Sequence, residues 1–249
     1  MYFIRQVALA AFVSSVLGAC STIPSSSVMP VAQALPAPIS YLDFCSRSPA
    51  ECGLDASRQA SNAARQQGLY QRYWGQMFEA QSQASDQAAP ASAQRVALDA
   101  ALWRLLSQTN LRVNATVRDA TDQALYGQAN VWALPTARGG EAFGNCKDVA
   151  LQKRHDLLAA GMPPQALAIA LVRTPGGRSH AVLTVATDRG DFVLDSLTPW
   201  VSPWKALNYV WVERQDPQDP TRWLALDHAS AQVGQQAQAG ENPALRRGS

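Results

Sequence analysis

Two kinds of spacing divide this chain. Between Val96 and Val113 the apolar residues Val96, Leu98, Ala101, Leu102, Leu105 and Leu106 share one stripe, which predicts a helix packed on a core. Ala60–Gln81 has helix-compatible composition with Tyr70, Tyr73, Trp74 and Phe78 at helical spacing, and gives way to a polar, Pro-punctuated segment, Ser82–Ser92. Leu125–Phe143 reads as loop, holding Gly127, Pro135, Gly139 and Gly140. Cys146–Ala160 is helical again: Val149, Ala150, Leu157 and Leu158 lie among Lys147, Gln152, Lys153 and Arg154, and Gly161 and Pro163 stop it.

After residue 167 the period shortens. Ala168–Thr174, His180–Ala186, Phe192–Asp195 and Tyr209–Glu213 are short β-branched runs between turn residues, which predicts an antiparallel meander. Helices followed by strands predict an α+β domain, N-terminal helices on an antiparallel sheet, over residues 40–229. The Gln, Ala and Gly content of residues 230–249 predicts a disordered tail.

The N-terminus reads as an address. Arg5 precedes thirteen largely apolar residues, Val7–Ala19. That run is short of the roughly 20 needed to span a bilayer but suits a signal peptide, residues 1–19, so the protein is expected to be exported. Leu17-Gly18-Ala19-Cys20 resembles the bacterial lipobox, in which the Cys becomes lipidated, and Ser21 in place of Asp implies the outer membrane. Ordinary cleavage near Ala19, releasing a soluble periplasmic protein, is the other reading. Residues 20–39, rich in Ser, Pro, Ala and Val without periodicity, then form a lipidated tether.

Composition narrows the partners. With 21 Lys and Arg against 19 Asp and Glu, and no basic run longer than Arg246-Arg247, the chain lacks the footprint of a nucleic-acid binder. A hydrophobic fraction of 47% excludes wholesale disorder. Neither feature sets an oligomeric state.

Cysteine arithmetic supplies candidate chemistry. In an oxidising compartment Cys45 and Cys52 are the natural disulfide, closing a short loop; the chain-entropy model assigns such a loop about 2.5 kcal/mol. If Cys20 carries lipid, Cys146 is left unpaired, which points either to a buried structural thiol or to a nucleophile. The first turn of a helix, where Cys146 sits, has unpaired N–H groups and a partial positive charge that favour a thiolate. Gly144 permits a tight entry and leaves room for a substrate carbonyl. His180, opening a strand, is the best of three histidines as a base, and Asp195, ending the apolar run Phe192–Leu194, can orient it. Direct opposition of His180 and Asp195 requires paired residue numbers summing to 375, and hence a loop of about four residues, Ala186–Arg189, or a bulge with the same effect. Such thiol chemistry needs no cofactor.

These residues also carry a resemblance. Trp132-Ala-Leu-Pro135, Gly144-Asn145-Cys146-Lys147-Asp148 with Lys153, Ser179–Leu183 and Leu194-Asp195-Ser196 resemble the bacterial transglutaminase-like cysteine proteinases, as do Asn110, Asn114, Asp122 and the element from Phe44-Cys45 to Glu51-Cys52. The resemblance covers most of residues 41–225 and implies a papain-like or transglutaminase-like fold, a periplasmic location, and peptide-bond cleavage by Cys146, His180 and Asp195. The best-known members release large adhesins from the cell surface under a cyclic-di-GMP receptor, a property of one branch. There the family's motif is Gly-Asp-Cys-Glu-Asp, and the acids flanking the Cys take part in a calcium site. Here Asn145 and Lys147 replace them, removing most of the charge a hard cation needs, so no metal and no calcium dependence are expected. Lys147 is also placed to lower the thiol pKa.

Other residues have plainer readings. Asp148 reads as a helix N-terminal acid, and His155 as a solvated residue, since no second Cys or His pair supplies zinc spacing. His228 is uninformative. Trp132 is either core or a lid, and Trp200, Trp204, Trp211 and Trp223 read as packing residues. Three functions fit: a cysteine peptidase acting on an envelope protein through a thioester, an acyltransferase using an amine acceptor on the same thioester, and a non-catalytic lipoprotein that binds a partner.

Overall fold

The computed structural model describes residues 26–54, 67, 68, 71 and 94–226. The signal peptide with Cys20, most of Ala60–Gln81, Ser82–Ser92 and the tail from Ser230 lie outside the described residues.

Two sheets carry the fold. Among the described residues, helices α1 (Ile39–Arg47), α2 (Ala100–Thr116), α3 (Asp122–Tyr126) and α4 (Cys146–Ala159) accompany ten strands. Strands β2 (Val117–Asp119), β3 (Thr136–Arg138) and β4 (Glu141–Gly144) form a small sheet of order β2-β4-β3. Strands β1 (Val31–Pro36), β5 (Leu167–Arg173), β6 (Ser179–Thr187), β7 (Gly190–Leu194), β8 (Ser202–Pro203), β9 (Val210–Asp216) and β10 (Asp219–Leu226) form a seven-stranded sheet of order β1-β10-β9-β5-β6-β7-β8. Every pairing in that sheet is antiparallel, and the class is α+β, as the pattern predicts.

Both faces of the large sheet are covered. Ala181, Leu183 and Val185 of β6 pack with Leu106 of α2 and Leu151 and Leu157 of α4, while Val182 joins Val172, Val193, Trp204 and Trp211 on the other side. Alternate residues of a strand point to opposite faces, so two covered faces leave β6 buried at every position after Ser179. The aromatic centre of the helical side is Tyr41 with Trp132 and Trp223, whose ring centroids stand 5.1 and 5.6 Å from it. Trp132 is therefore core and not a lid. Trp204, Trp211 and Trp223 are buried as expected, whereas Trp200 is 73% exposed.

Four sequence expectations need correction. The residues 26–39 assigned to a free tether are docked: Val31–Pro36 pairs with β10, Met29 is buried, and Met29 N–H donates to Asp191 Oδ2 at 2.7 Å. An edge strand takes half of its support from a partner, so its own sequence carries little periodicity. The helix expected from Val96 starts at Ala100, because Val96 bridges to Thr187 and Asp99 caps the helix by accepting from Leu102 N–H at 2.7 Å. Leu125–Phe143 is not merely loop. It holds the end of α3 and a hairpin whose Gly139-Gly140 turn has φ of 61° and 83°, and strands of three and four residues are too short to show a period. Finally, the strands are no simple meander, since β9 pairs with β5 and not with β7. The chain between β7 and β9 carries Trp204, which packs beneath the sheet with Trp211 and Val172 and so delivers β9 to the far side of β5.

Candidate active site

The small sheet delivers the nucleophile candidate. β4 runs parallel to β2 and ends at Gly144, opposite Asp119, and α4 starts two residues later at Cys146. Asn145 is the N-cap: its Oδ1 accepts from Lys147 N–H at 3.2 Å, and its own N–H donates to Asp148 Oδ2 at 3.0 Å, closing a capping box. Asp148 thus has the helix-terminal role expected, with Oδ1 also accepting from Ala133 N–H at 3.2 Å. Burial raises its pKa to about 6 despite the Asn145 N–H and the Lys147 charge. The space beside Gly144 goes to this carboxylate and not to a substrate carbonyl, because a Cβ there would stand 2.8 Å from Asp148 Cβ.

Cys146 is a free, half-buried thiol packed against the helical-side core. Burial pushes its pKa up, but the His180 hydrogen bond, the His180 charge, Ala181 N–H and the Lys147 ammonium outweigh it, and the thiol lies below its ordinary value. His180 is 6% exposed and places Nε2 2.7 Å from Asp195 Oδ1. The second ring nitrogen, Nδ1, is left for Cys146, whose influence on the imidazole pKa marks the two groups as neighbours. Burial lowers the imidazole pKa, yet the bonds to Asp195 and Cys146 and their charges carry it up to about 9.

Asp195 is fully buried and well provided with donors. Oδ1 also accepts from Leu197 N–H at 2.9 Å, and Oδ2 accepts from Tyr209 Oη at 2.5 Å. Burial raises its pKa, but the His180 bond, Leu197 N–H and Tyr209 more than reverse this, so the carboxylate is held ionised. Two asparagines of α2 hold its loop: Asn114 Nδ2 donates to the carbonyls of Asp195 and Thr198 at 2.9 and 3.0 Å, and Asn110 Nδ2 to Thr198 O at 3.0 Å.

The register is not the one expected. Thr187 pairs with Gly190 and Leu183 with Leu194, so numbers sum to 377 around a two-residue turn, Asp188-Arg189. The ladder therefore sets Asp195 opposite Val182, two residues from His180 on the same face. Diagonal neighbours of this kind lie within side-chain reach. The four-residue loop was unnecessary because Asp195 lies just past the end of β7, where its backbone is free of the ladder. Asp191 tightens the turn by accepting from Arg95 Nη2 at 2.8 Å and Met29 N–H at 2.7 Å.

Two residues of the site escape sequence reasoning. Tyr209 opens an expected strand and gives no sign that its ring meets His180 edge-on, with centroids 6.1 Å apart. Lys153, noted in the sequence for its place in the helix and in the resemblance, is fully buried on the nucleophile helix, and its Nζ finds no hydrogen-bond partner among the described residues. Burial lowers its pKa to about 7 against the opposing pull of Asp195.

The Cys45–Cys52 disulfide forms as expected, its Cα atoms 5.5 Å apart. It braces α1 to the short helix Pro49–Cys52, whose Glu51 accepts from His155 Nδ1 at 2.8 Å and, through its carbonyl, from Arg154 Nη1 at 2.6 Å. His155 is thus a partly exposed side chain, as expected, hydrogen-bonded to Glu51. Lipidation of Cys20 falls outside the described residues.

The loop before Cys146 does not suit a divalent cation. Lys147 Nζ stands 2.9 Å from Asp122 Oδ2 and 2.8 Å from Asn145 Oδ1, so an ammonium already sits among the oxygens such an ion would need.

No curated protein matches the chain. Among solved structures the chain is similar to Legionella pneumophila LapG at 23% identity over 55% of this chain and 75% of that one, with a TM-score of 0.42. It is also similar to the calcium-bound LapG at 20% identity over 55% and 80%, TM-score 0.42. The EGTA-treated LapG aligns at 24% identity over 45% of this chain, TM-score 0.39, and the chain spans 62% of that protein's length. The family model described as bacterial transglutaminase-like cysteine proteinase matches residues 73–231, well over half the chain, and contains every group just described around Cys146, His180 and Asp195. This protein belongs to the bacterial transglutaminase-like cysteine proteinases.

Proposed function

We propose that the protein is a cysteine peptidase that cleaves a protein substrate of the bacterial cell envelope with Cys146 as nucleophile, His180 as proton carrier and Asp195 as orienting carboxylate. The observation that carries the reading is one imidazole hydrogen-bonded to a buried carboxylate and near enough to a free, half-buried thiol to lower its pKa. In this scheme the Cys146 thiolate attacks the scissile carbonyl. His180 protonates the departing amine, and water activated by the same imidazole resolves the thioester. Asn145 occupies Lys147 N–H, which leaves Cys146 N–H at the helix start as the donor for the oxyanion. Asp195 and Tyr209 hold the tautomer in which Nε2 carries a proton and Nδ1 faces sulfur.

Family membership supports the reaction class. The proposed address rests on the N-terminal sequence alone: export through residues 1–19, cleavage before Cys20, and lipid anchoring in the outer membrane. Among the described residues no helix is long and apolar enough to cross a membrane.

The test has two parts. Cys146 should react with iodoacetamide at pH 6 faster than a free thiol, and His180→Ala should remove the advantage; a free-thiol rate in the parent protein would sink the enzymatic reading. Envelope N-termini should then be compared between cells carrying the parent and Cys146→Ser. New N-termini dependent on Cys146 identify a peptidase, whereas isopeptide products without new N-termini identify acyl transfer.

A further inference from the structure

The ammonium beside the nucleophile is part of a closed ring of polar contacts. Asp122, at the start of α3, is 8% exposed. Its Oδ1 accepts from Asn145 Nδ2 at 2.5 Å, and its Oδ2 accepts from Lys147 Nζ at 2.9 Å and from Val131 N–H at 3.0 Å. Lys147 Nζ donates again to Asn145 Oδ1 at 2.8 Å. One cation therefore lies between oxygens from two separate elements, and the Asn145 amide closes the ring. The ring ties α3 and the loop at Val131 to the N-cap of the helix that presents Cys146.

The charges balance within it. Asp122 contributes one negative charge, Lys147 one positive and Asn145 none, so a buried carboxylate is neutralised without an external ion. A hard divalent cation instead demands several anionic oxygens and rejects an ammonium among them. We propose that the Lys147 ammonium is a built-in cation that does here the bridging work of a bound divalent ion, joining Asp122 to Asn145 and fixing the turn before Cys146, so that the chain needs no metal at this place. The inference does not depend on the peptidase reading, because it concerns how the loop is held and not what Cys146 attacks.

Two substitutions follow. Lys147→Met keeps an unbranched side chain, one atom shorter, and removes the charge, leaving the Asp122 carboxylate uncompensated. The pair Asn145→Asp with Lys147→Glu puts three carboxylates around the place of one ammonium, the donor set a hard cation favours.

The experiment uses the full chain and reads melting temperature with and without millimolar calcium, together with terbium luminescence at the loop. The parent protein is expected to melt at one temperature in calcium and in EDTA and to show no saturable terbium signal. Lys147→Met is expected to melt several degrees lower with calcium giving no rescue. The double variant is expected to be destabilised in EDTA, to regain the loss in calcium and to bind terbium. A parent protein stabilised by calcium, a Lys147→Met chain as stable as the parent, or a double variant that fails to respond to calcium or terbium would each overturn the proposal. None of these readouts uses catalysis, so they stand or fall apart from the peptidase test.

Discussion

His180 and Asp195 are hydrogen-bonded at 2.7 Å although the ladder between their strands sets them two residues out of line. The offset is bridged because Asp195 follows the last residue of β7 and turns back, with Leu197 N–H and Tyr209 Oη fixing its two oxygens. A carboxylate held by three donors cannot swing away from the imidazole without leaving buried partners unpaired.

That arrangement predicts the effect of Asp195→Asn. An amide at this position can hold the wrong imidazole tautomer, a change that costs roughly 10^4 in kcat in a Ser-His-Asp enzyme. Peptide hydrolysis is expected to fall by a comparable factor while circular dichroism stays unchanged. Near-parental turnover would remove Asp195 from the mechanism.

Tyr209→Phe takes one donor from Asp195 and keeps the ring that meets His180. A hydrogen bond to a charged group is worth about 1.5–3 kcal/mol, so a fall in kcat of one to two orders of magnitude is expected with KM little changed. Equal activity in the two proteins would show that Asp195 needs no support from the Tyr209 hydroxyl.

The pH dependence follows from the pair formed by sulfur and imidazole. His180 is raised from 6.5 to about 9 and Cys146 is lowered, so each group favours the charged form of the other. Hydrolysis is expected to hold through neutrality and to decline as pH passes about 9, where the imidazolium loses the proton due to the leaving amine. A decline centred near 6.5 would mean that His180 gains nothing from its two neighbours.

Lys153 gives a stability signature of opposite sign. Its pKa falls from 10.5 to about 7, so the unfolded chain binds the extra proton between those values and stability rises with pH there. His180, raised to about 9, contributes stability that is complete below 6.5 and lost as pH rises through about 9. Between about 7 and 9 the two slopes oppose. Lys153→Met removes one of them, so denaturant-measured stability of this variant should fall across that window while the parent stays nearly level. It should also exceed the parent at pH 6, where the parent buries an ammonium without a hydrogen-bond partner. Parallel curves for the two proteins would refute the buried-ammonium account.

By itself the sequence determined the α+β class, the helix of Cys146, the Cys45–Cys52 pairing and the face shared by His180 and Asp195. Each rests on contacts close along the chain or on a period of two, which survives any odd-sum register. Only tertiary structure decided the rest. The place of β9 beside β5, the docking of Val31–Pro36 on β10, and the meeting of Tyr209 with Asp195 join residues whose local patterns are indifferent to the partner. The Asp122–Lys147 bond is of the same kind: its two ends lie 25 residues apart, and no local rule says that a lysine will settle among those oxygens. What the chain spells out locally is which groups are present; which of them share a charge is set by the packing that removes water from between them.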